Sequence, residues 1–106
     1  MIDSKILGLI GLAMKAGKIS FGADSVEEDI KKKKVKLIIV SNEASERTKN
    51  KFQKLSDEHQ IPLMIDGTIE EISHAIGKSN KAIIGIRDEN FAKSIQNKYN
   101  GGDIIG

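Results

Sequence analysis

Lys18-Ile19-Ser20-Phe21-Gly22-Ala23-Asp24-Ser25 joins a short extended piece, a glycine and the polar opening of an amphipathic helix. The chemistry such a stretch supports is recognition of an anion or a nucleic acid. A first helical turn leaves N–H groups free, the positive end of the helix dipole faces outward, and glycine lets a ligand backbone come close. Spacing alone names no ligand. Two further loop ends, Ser41 to Ala44 and Ile65 to Thr68, also precede expected helices, so all three fall at one rim of an α/β fold. There Asp24 can accept hydrogen bonds from guanine N–H groups, helix tips can hold phosphates, and Ile65 can contact an extruded base. Ordinary helix capping accounts for Asp24, Ser25, Asn42 and Thr68 without any ligand. The residues by themselves leave both readings open.

Other chemistries lack their parts. His59 and His74 carry no HxH or HExxH pattern, and the chain has no cysteine, so neither a metal site nor a disulfide is expected. There is no P-loop, no G-x-G-x-x-G and no G-x-S-x-G, which points away from an enzyme and from a cofactor. Asp66, following Ile65, has the position of a phosphate-accepting aspartate, but only Asp24 stands where an acidic pair would be needed to help hold Mg²⁺. Gly8-Leu9-Ile10-Gly11 spells the G-x-x-G clamp of one RNA-binding module, yet it lies inside a helical apolar pattern and reads as close helix packing.

The 106 residues suffice for one domain with a real core. The absence of cysteine suits a reducing cytoplasm. The apolar stretch Ile6 to Met14 is too short to cross a membrane, and Asp3 sits where a secretory signal carries positive charge; a soluble, unprocessed cytoplasmic protein is expected. The net charge of +2 conceals an asymmetry. Residues 1–54 hold twelve Lys or Arg against seven Asp or Glu, while residues 55–106 hold five against eight. Lys31 to Lys34, with Lys36, Arg47, Lys49, Lys51 and Lys54, supply a positive field if the fold gathers them, or else coat solvated helix faces.

The elements that must position these groups follow from periodicity. Ile6, Leu9, Ile10, Ala13 and Ala16 predict a first helix opened by Asp3 or Ser4 and closed by Gly17. A brief strand, Lys18 to Phe21, leads to a helix from about Ala23 to Lys33, with Ser25-x-x-Glu28 resembling a capping box. Val35 to Val40 reads as a strand covered on both faces. A third helix is expected from about Ala44 to His59, and a short strand from Ile61 to Ile65. The box Thr68-x-x-Glu71 opens a fourth helix that Gly77 closes. Ala82 to Ile86 forms a last strand, and Phe91, Ala92 and Ile95 mark a last helix. This alternation predicts a three-layer α/β/α sandwich of about four strands, a single domain over residues 1–97 with a flexible tail from 98 to 106.

The chain resembles the kink-turn-binding ribosomal protein (L-seven-Ae) superfamily, in its small bacterial YlxQ-like branch. The likeness spans residues 3 to about 97. It rests on Leu7 to Lys18, on Gly22 opening the second helix, on Leu37 to Ser45, on Ile61-Pro62, on Ile72-Ser73-His74-Ala75-Ile76-Gly77 and on Asn90-Phe91-Ala92. The resemblance implies a four-stranded mixed sheet and binding of structured RNA at a sharply bent internal loop with tandem sheared G·A pairs. The family motif G-x-N-E-x-x-K falls on Gly22, Asp24, Ser25 and Glu28, so glycine is kept and three polar readers differ. Asp24 lacks an amide donor, Ser25 is short, and Glu28 repels phosphates that a lysine attracts. Lysines 31 to 34 lie about 10 to 15 Å from that tip by helical rise. The resemblance implies an RNA-binding set of Lys15, Lys18, Gly22, Ala23, Asp24, Ser25, Glu28, Glu43, Ala44, Ile65, Asp66, Gly67 and Thr68, with Lys15 and Lys18 on phosphate. The expected partner is structured RNA, ribosomal or kink-turn-like, with a ribosome-associated protein second and neither DNA nor membrane expected. The alternative is a protein-interaction module that keeps the fold without kink-turn recognition.

Overall fold

The computed structural model describes residues 1–100. Along them run α1 (Ser4–Lys15), β1 (Ile19–Phe21), α2 (Ala23–Lys31), β2 (Leu37–Val40), α3 (Glu46–His59), β3 (Leu63–Ile65), α4 (Ile69–Ala75), β4 (Ile83–Ile86) and α5 (Glu89–Tyr99). The strands form one sheet in the order β1-β4-β2-β3. β2 and β3 are parallel, and β4 runs antiparallel to both of its neighbours. The sheet is therefore mixed.

Two apolar clusters, one on each face, make the three layers. In β2, alternation sends Leu37 and Ile39 to one cluster and Ile38 and Val40 to the other. Ile6, Ile10, Ile72 and Ile95 bring α1, α4 and α5 onto the first face. Val26, Ile30, Phe52 and Leu55 bring α2 and α3 onto the second. Burying each such side chain contributes about 1.5–3 kcal/mol. Ile83 faces the second cluster and Ile84 and Ile86 the first, which leaves Gly85 beneath α2. A methyl group on Gly85 would lie 3.1 and 3.2 Å from the two Val35 methyls and 3.4 Å from Val26. The glycine thus sets how closely α2 and the chain after it approach the sheet. Gly8-Leu9-Ile10-Gly11 is helical, with Gly11 facing the Ala75 carbonyl of α4.

Local chemistry moves several boundaries from those the sequence predicts. The Ser25-x-x-Glu28 box does not form: α2 begins at Ala23 with Gly22 as N-cap, which places Ser25 inside the first turn. α3 starts at Glu46 rather than Ala44, because residues 41–44 turn first and the Ser45 hydroxyl takes the Thr48 N–H at 3.1 Å. β2 begins at Leu37 and β3 at Leu63, later than the apolar runs suggest, although Val35 and Ile61 remain buried. The Thr68/Glu71 box forms in full. α5 reaches Tyr99, past the expected boundary at residue 97; residues 101–106 of the expected tail lie outside the described residues.

Because Val35 is buried and β-branched, it cannot rotate away from a new methyl group. Gly85→Ala is expected to lower stability by about 1–3 kcal/mol in urea unfolding, with the far-ultraviolet spectrum of the folded state unchanged.

Candidate nucleic-acid interface

β1, β2 and β3 all end at the rim where β4 begins. Gly22 N–H donates to the Ile83 carbonyl at 2.9 Å, Ser41 N–H to Ala82 at 2.7 Å and Asp66 N–H to Val40 at 3.0 Å. Loops 22–25, 41–45 and 65–68 therefore stand side by side, spread over about 14 Å by the interstrand spacing.

At one end of this row, Gly22 has φ +88° and ψ 149°, a conformation open to glycine. No heavy atom lies within 4 Å of where its side chain would begin. No side chain caps α2, so the first-turn N–H groups face outward. Asp24 and Ser25 are exposed, and neither makes a side-chain hydrogen bond or ion pair among the described residues. Capping thus does not account for these two residues. Ala23 is half-buried beneath them, and Glu28, one turn on, lies 3.9 Å from Lys32.

Across the row the polar groups are engaged internally. Buried Ser41 donates its hydroxyl to the Gly67 carbonyl at 2.9 Å and accepts the Glu43 N–H at 3.0 Å. Asn42 contributes its backbone N–H to the same carbonyl rather than acting as a cap. Glu43 takes the Ile69 N–H at 2.9 Å, which ties the two loops together, while Ala44 closes the intervening turn onto the Ser41 carbonyl. Asp66 accepts the Gly67 N–H at 2.7 Å, Thr68 is held in its capping box, and Ile65 packs into the second cluster. Gly67 has φ +79°, and a methyl group there would collide with the Ile2 side chain. This side of the rim is a shelf whose polar groups are hydrogen-bonded to one another.

Lys15 and Lys18 are not brought to the rim. Lys15 ends α1 and lines a groove with Glu70, Glu71 and His74 of α4. Lys18 precedes β1 at the opposite end of the sheet, where its carbonyl accepts the Arg87 N–H, about 13 Å from Gly22 by strand rise. Two other cations lie near the rim. Lys78 and Lys81, between α4 and β4, hold their ammonium groups 5.2 and 5.7 Å from the centre of the Phe21 ring, next to Gly22. Ser73 pins that loop: its hydroxyl accepts the Lys81 N–H at 2.7 Å and donates to the Lys81 carbonyl, and its own carbonyl accepts the Lys78 N–H. These residues escape a reading by half-chains because they sit in the acidic half. The available signal is Gly77-Lys78-Ser79-Asn80-Lys81, a turn-forming cluster with two cations directly before a buried strand.

The model of the Ribosomal protein L7Ae/L30e/S12e/Gadd45 family matches residues 4–96. The chain belongs to this family. It is 39% identical over 97 residues to the RNA-binding protein YlxQ of Enterococcus faecium, covering 92% of this chain and 93% of that one. The RNA-binding protein YlxQ of Bacillus subtilis (strain 168) is 26% identical over 87 residues, covering 82% and 87%. Among solved structures, a protein of unknown function from Bacillus halodurans C superposes with a TM-score of 0.86 at 31% identity, covering 89% of this chain and 95% of that one. The Giardia lamblia 15.5kD RNA binding protein shares the fold with a TM-score of 0.78 at 15% identity, covering 95% and 92%. The helix tip at Gly22 and the shelf beside it are thus built on the family's scaffold.

The Ser73 hydroxyl is buried and holds both backbone groups of Lys81. Ser73→Ala is expected to lose about 1–3 kcal/mol of stability in urea unfolding and to speed hydrogen exchange at the Lys81 amide.

Proposed function

We propose that this protein is a non-enzymatic RNA-binding protein, ribosomal or translation-linked and cytoplasmic, that grips structured RNA at the Gly22 rim. The observation that carries the reading is the uncapped tip of α2, open in front of Gly22, with Asp24 and Ser25 free and Lys78 and Lys81 over the ring of Phe21, the residue before Gly22. Family membership and the RNA-binding relatives support it.

In this reading each residue has a task. Gly22 lets the RNA backbone approach, and the first-turn N–H groups of α2 donate to phosphate or base oxygens. Asp24 accepts from guanine N–H groups and Ser25 supplies a short hydroxyl to a neighbouring edge. Lys78 and Lys81 face the phosphates, the charge that the family motif places on the helix and that Glu28 lacks here. The shelf of Glu43, Ala44 and residues 65–68 supplies shape, since its polar groups are already engaged.

The finer reading is kink-turn recognition. Titration at about 150 mM salt, where exposed charges are substantially screened, compares a kink-turn RNA with the same RNA carrying Watson–Crick pairs in place of its G·A pairs. The intact kink is expected to bind about 5- to 150-fold more tightly, as the loss of a good base contact of about 1–3 kcal/mol implies. Gly22→Ala and Lys78→Gln/Lys81→Gln are each expected to weaken it while remaining folded by circular dichroism. Equal binding of both RNAs by the parent removes kink-turn recognition but keeps RNA as the ligand. No binding at all favours the protein-interaction module, for which a pull-down surviving nuclease treatment is the signature.

A further inference from the structure

The opposite end of the sheet carries a second concentration of positive charge. Gly17, Lys18, Lys34, Lys36 and Arg87 line a cleft of about 320 Å³, and no carboxylate takes part in its lining. Four cations thus face one another with nothing of opposite sign among them. The rest of the lysine-rich stretch is arranged differently. Lys31 and Lys51 sit 3.1 and 2.8 Å from Glu27, Lys32 pairs with Glu28, and Lys49 with Glu46. Hydrogen bonds from Lys51 and then Lys31 hold the Glu27 carboxyl below the usual carboxylate range. Among the described residues, Lys18, Lys34, Lys36 and Arg87 form no ion pair.

Two further features set this cluster apart. Arg87 donates one terminal N–H to the Gly17 carbonyl at 2.6 Å, but its Nε is buried and has no hydrogen-bond partner. An unpaired buried donor on a charged group is destabilising unless an acceptor reaches it. The chain also spends conformational energy to deliver its lysines. Lys33 adopts φ +62° after the end of α2, a left-handed conformation that favours glycine or asparagine. That reversal, closed by the Lys34 N–H on the Asp29 carbonyl, sends the chain back along the sheet so that Lys34 and Lys36 reach the cleft.

We propose that this cleft is a second anion site, which takes a phosphodiester group of the same RNA that binds at the Gly22 rim. The inference rests on the RNA-binding reading above. A phosphodiester fits because it offers several acceptor oxygens to a fork of donors and lysines at once. Its placement suits one continuous ligand. Lys18 and Gly22 bracket edge strand β1, about 13 Å apart, which is about four steps of the 3.4 Å axial rise per phosphate in one strand of a duplex. The protein then holds RNA at both ends of one strand: helix tip and bases at one end, backbone charge alone at the other.

The test compares the parent with Lys18→Gln/Lys34→Gln/Lys36→Gln, three exposed positions, by fluorescence anisotropy with the kink-turn RNA across a salt series. The plot of log affinity against log salt should flatten by about 2 to 3 units, with affinity at 0.15 M salt falling roughly tenfold or more. In parallel, the Arg87 Nε–H resonance of the parent should shift on adding a short oligouridylate and stay fixed on adding polyglutamate. A parent that binds RNA with an unchanged salt slope in the triple variant overturns the second site and leaves the Gly22 rim standing. A shift with polyglutamate alone assigns the cleft to an acidic protein partner and also overturns the proposal. If the parent binds no RNA, both readings fall together.

Discussion

The direction of one strand governs the molecule. β4 lies between β1 and β2 and runs against both, with Ile84 opposite Phe21 and Ile39. Because its side chains are buried on both faces, the register is fixed: a slip of one residue would exchange Ile84 with Gly85 and undo both cores. This pairing carries residues late in the chain to both ends of the sheet. Lys78 and Lys81, which precede β4, arrive over the Phe21 ring, and Arg87, which follows it, arrives beside Lys18. The charged rims are thus consequences of strand order rather than of local sequence.

The two helical layers divide the remaining work. α2 lies close over β4 and β1 because Gly85 presents no side chain, and its tip is held at the rim by the Gly22 amide. On the other face α1, α4 and α5 bury an almost entirely aliphatic cluster, against which the Phe21 ring is partly packed. The hydroxyls of Ser41 and Ser73 carry the loops between these layers. Each sits where a buried loop carbonyl or amide needs a partner, so the loops are rigid for reasons of hydrogen bonding rather than of apolar contact.

Periodicity was enough to read the sandwich, since each strand is a short apolar run and each helix a stripe at spacings of three and four. Residues 37–40 alone, Leu-Ile-Ile-Val, demand cover on both faces and thereby fix the middle of the sheet. The Gly22 tip was legible for the same kind of reason, a glycine between a strand and a helix. Two things were not. The neighbours of that tip depend on where β4 inserts, a long-range fact that no local pattern holds, so nothing local shows that Lys18 stands at the far end of the sheet or that Lys78 and Lys81 reach the Phe21 ring. The fate of each lysine in the run 31–34 depends on a left-handed Lys33, whose side chain gives no sign of the turn it makes.

Placing the last strand in the centre of the sheet also sets the order in which the molecule can become competent. β1 has no sheet partner until residues about 65 positions later arrive, and pairings that distant are made late in folding, after local helices and the β2–β3 pair. During synthesis, a nascent chain that has emerged only as far as α4 lacks the closing contact at each end of β1: Gly22 lacks the Ile83 carbonyl that anchors it, and Lys18 lacks Arg87. The Gly22 tip and the Lys18 end of β1 are therefore completed in one step, with the closing strand.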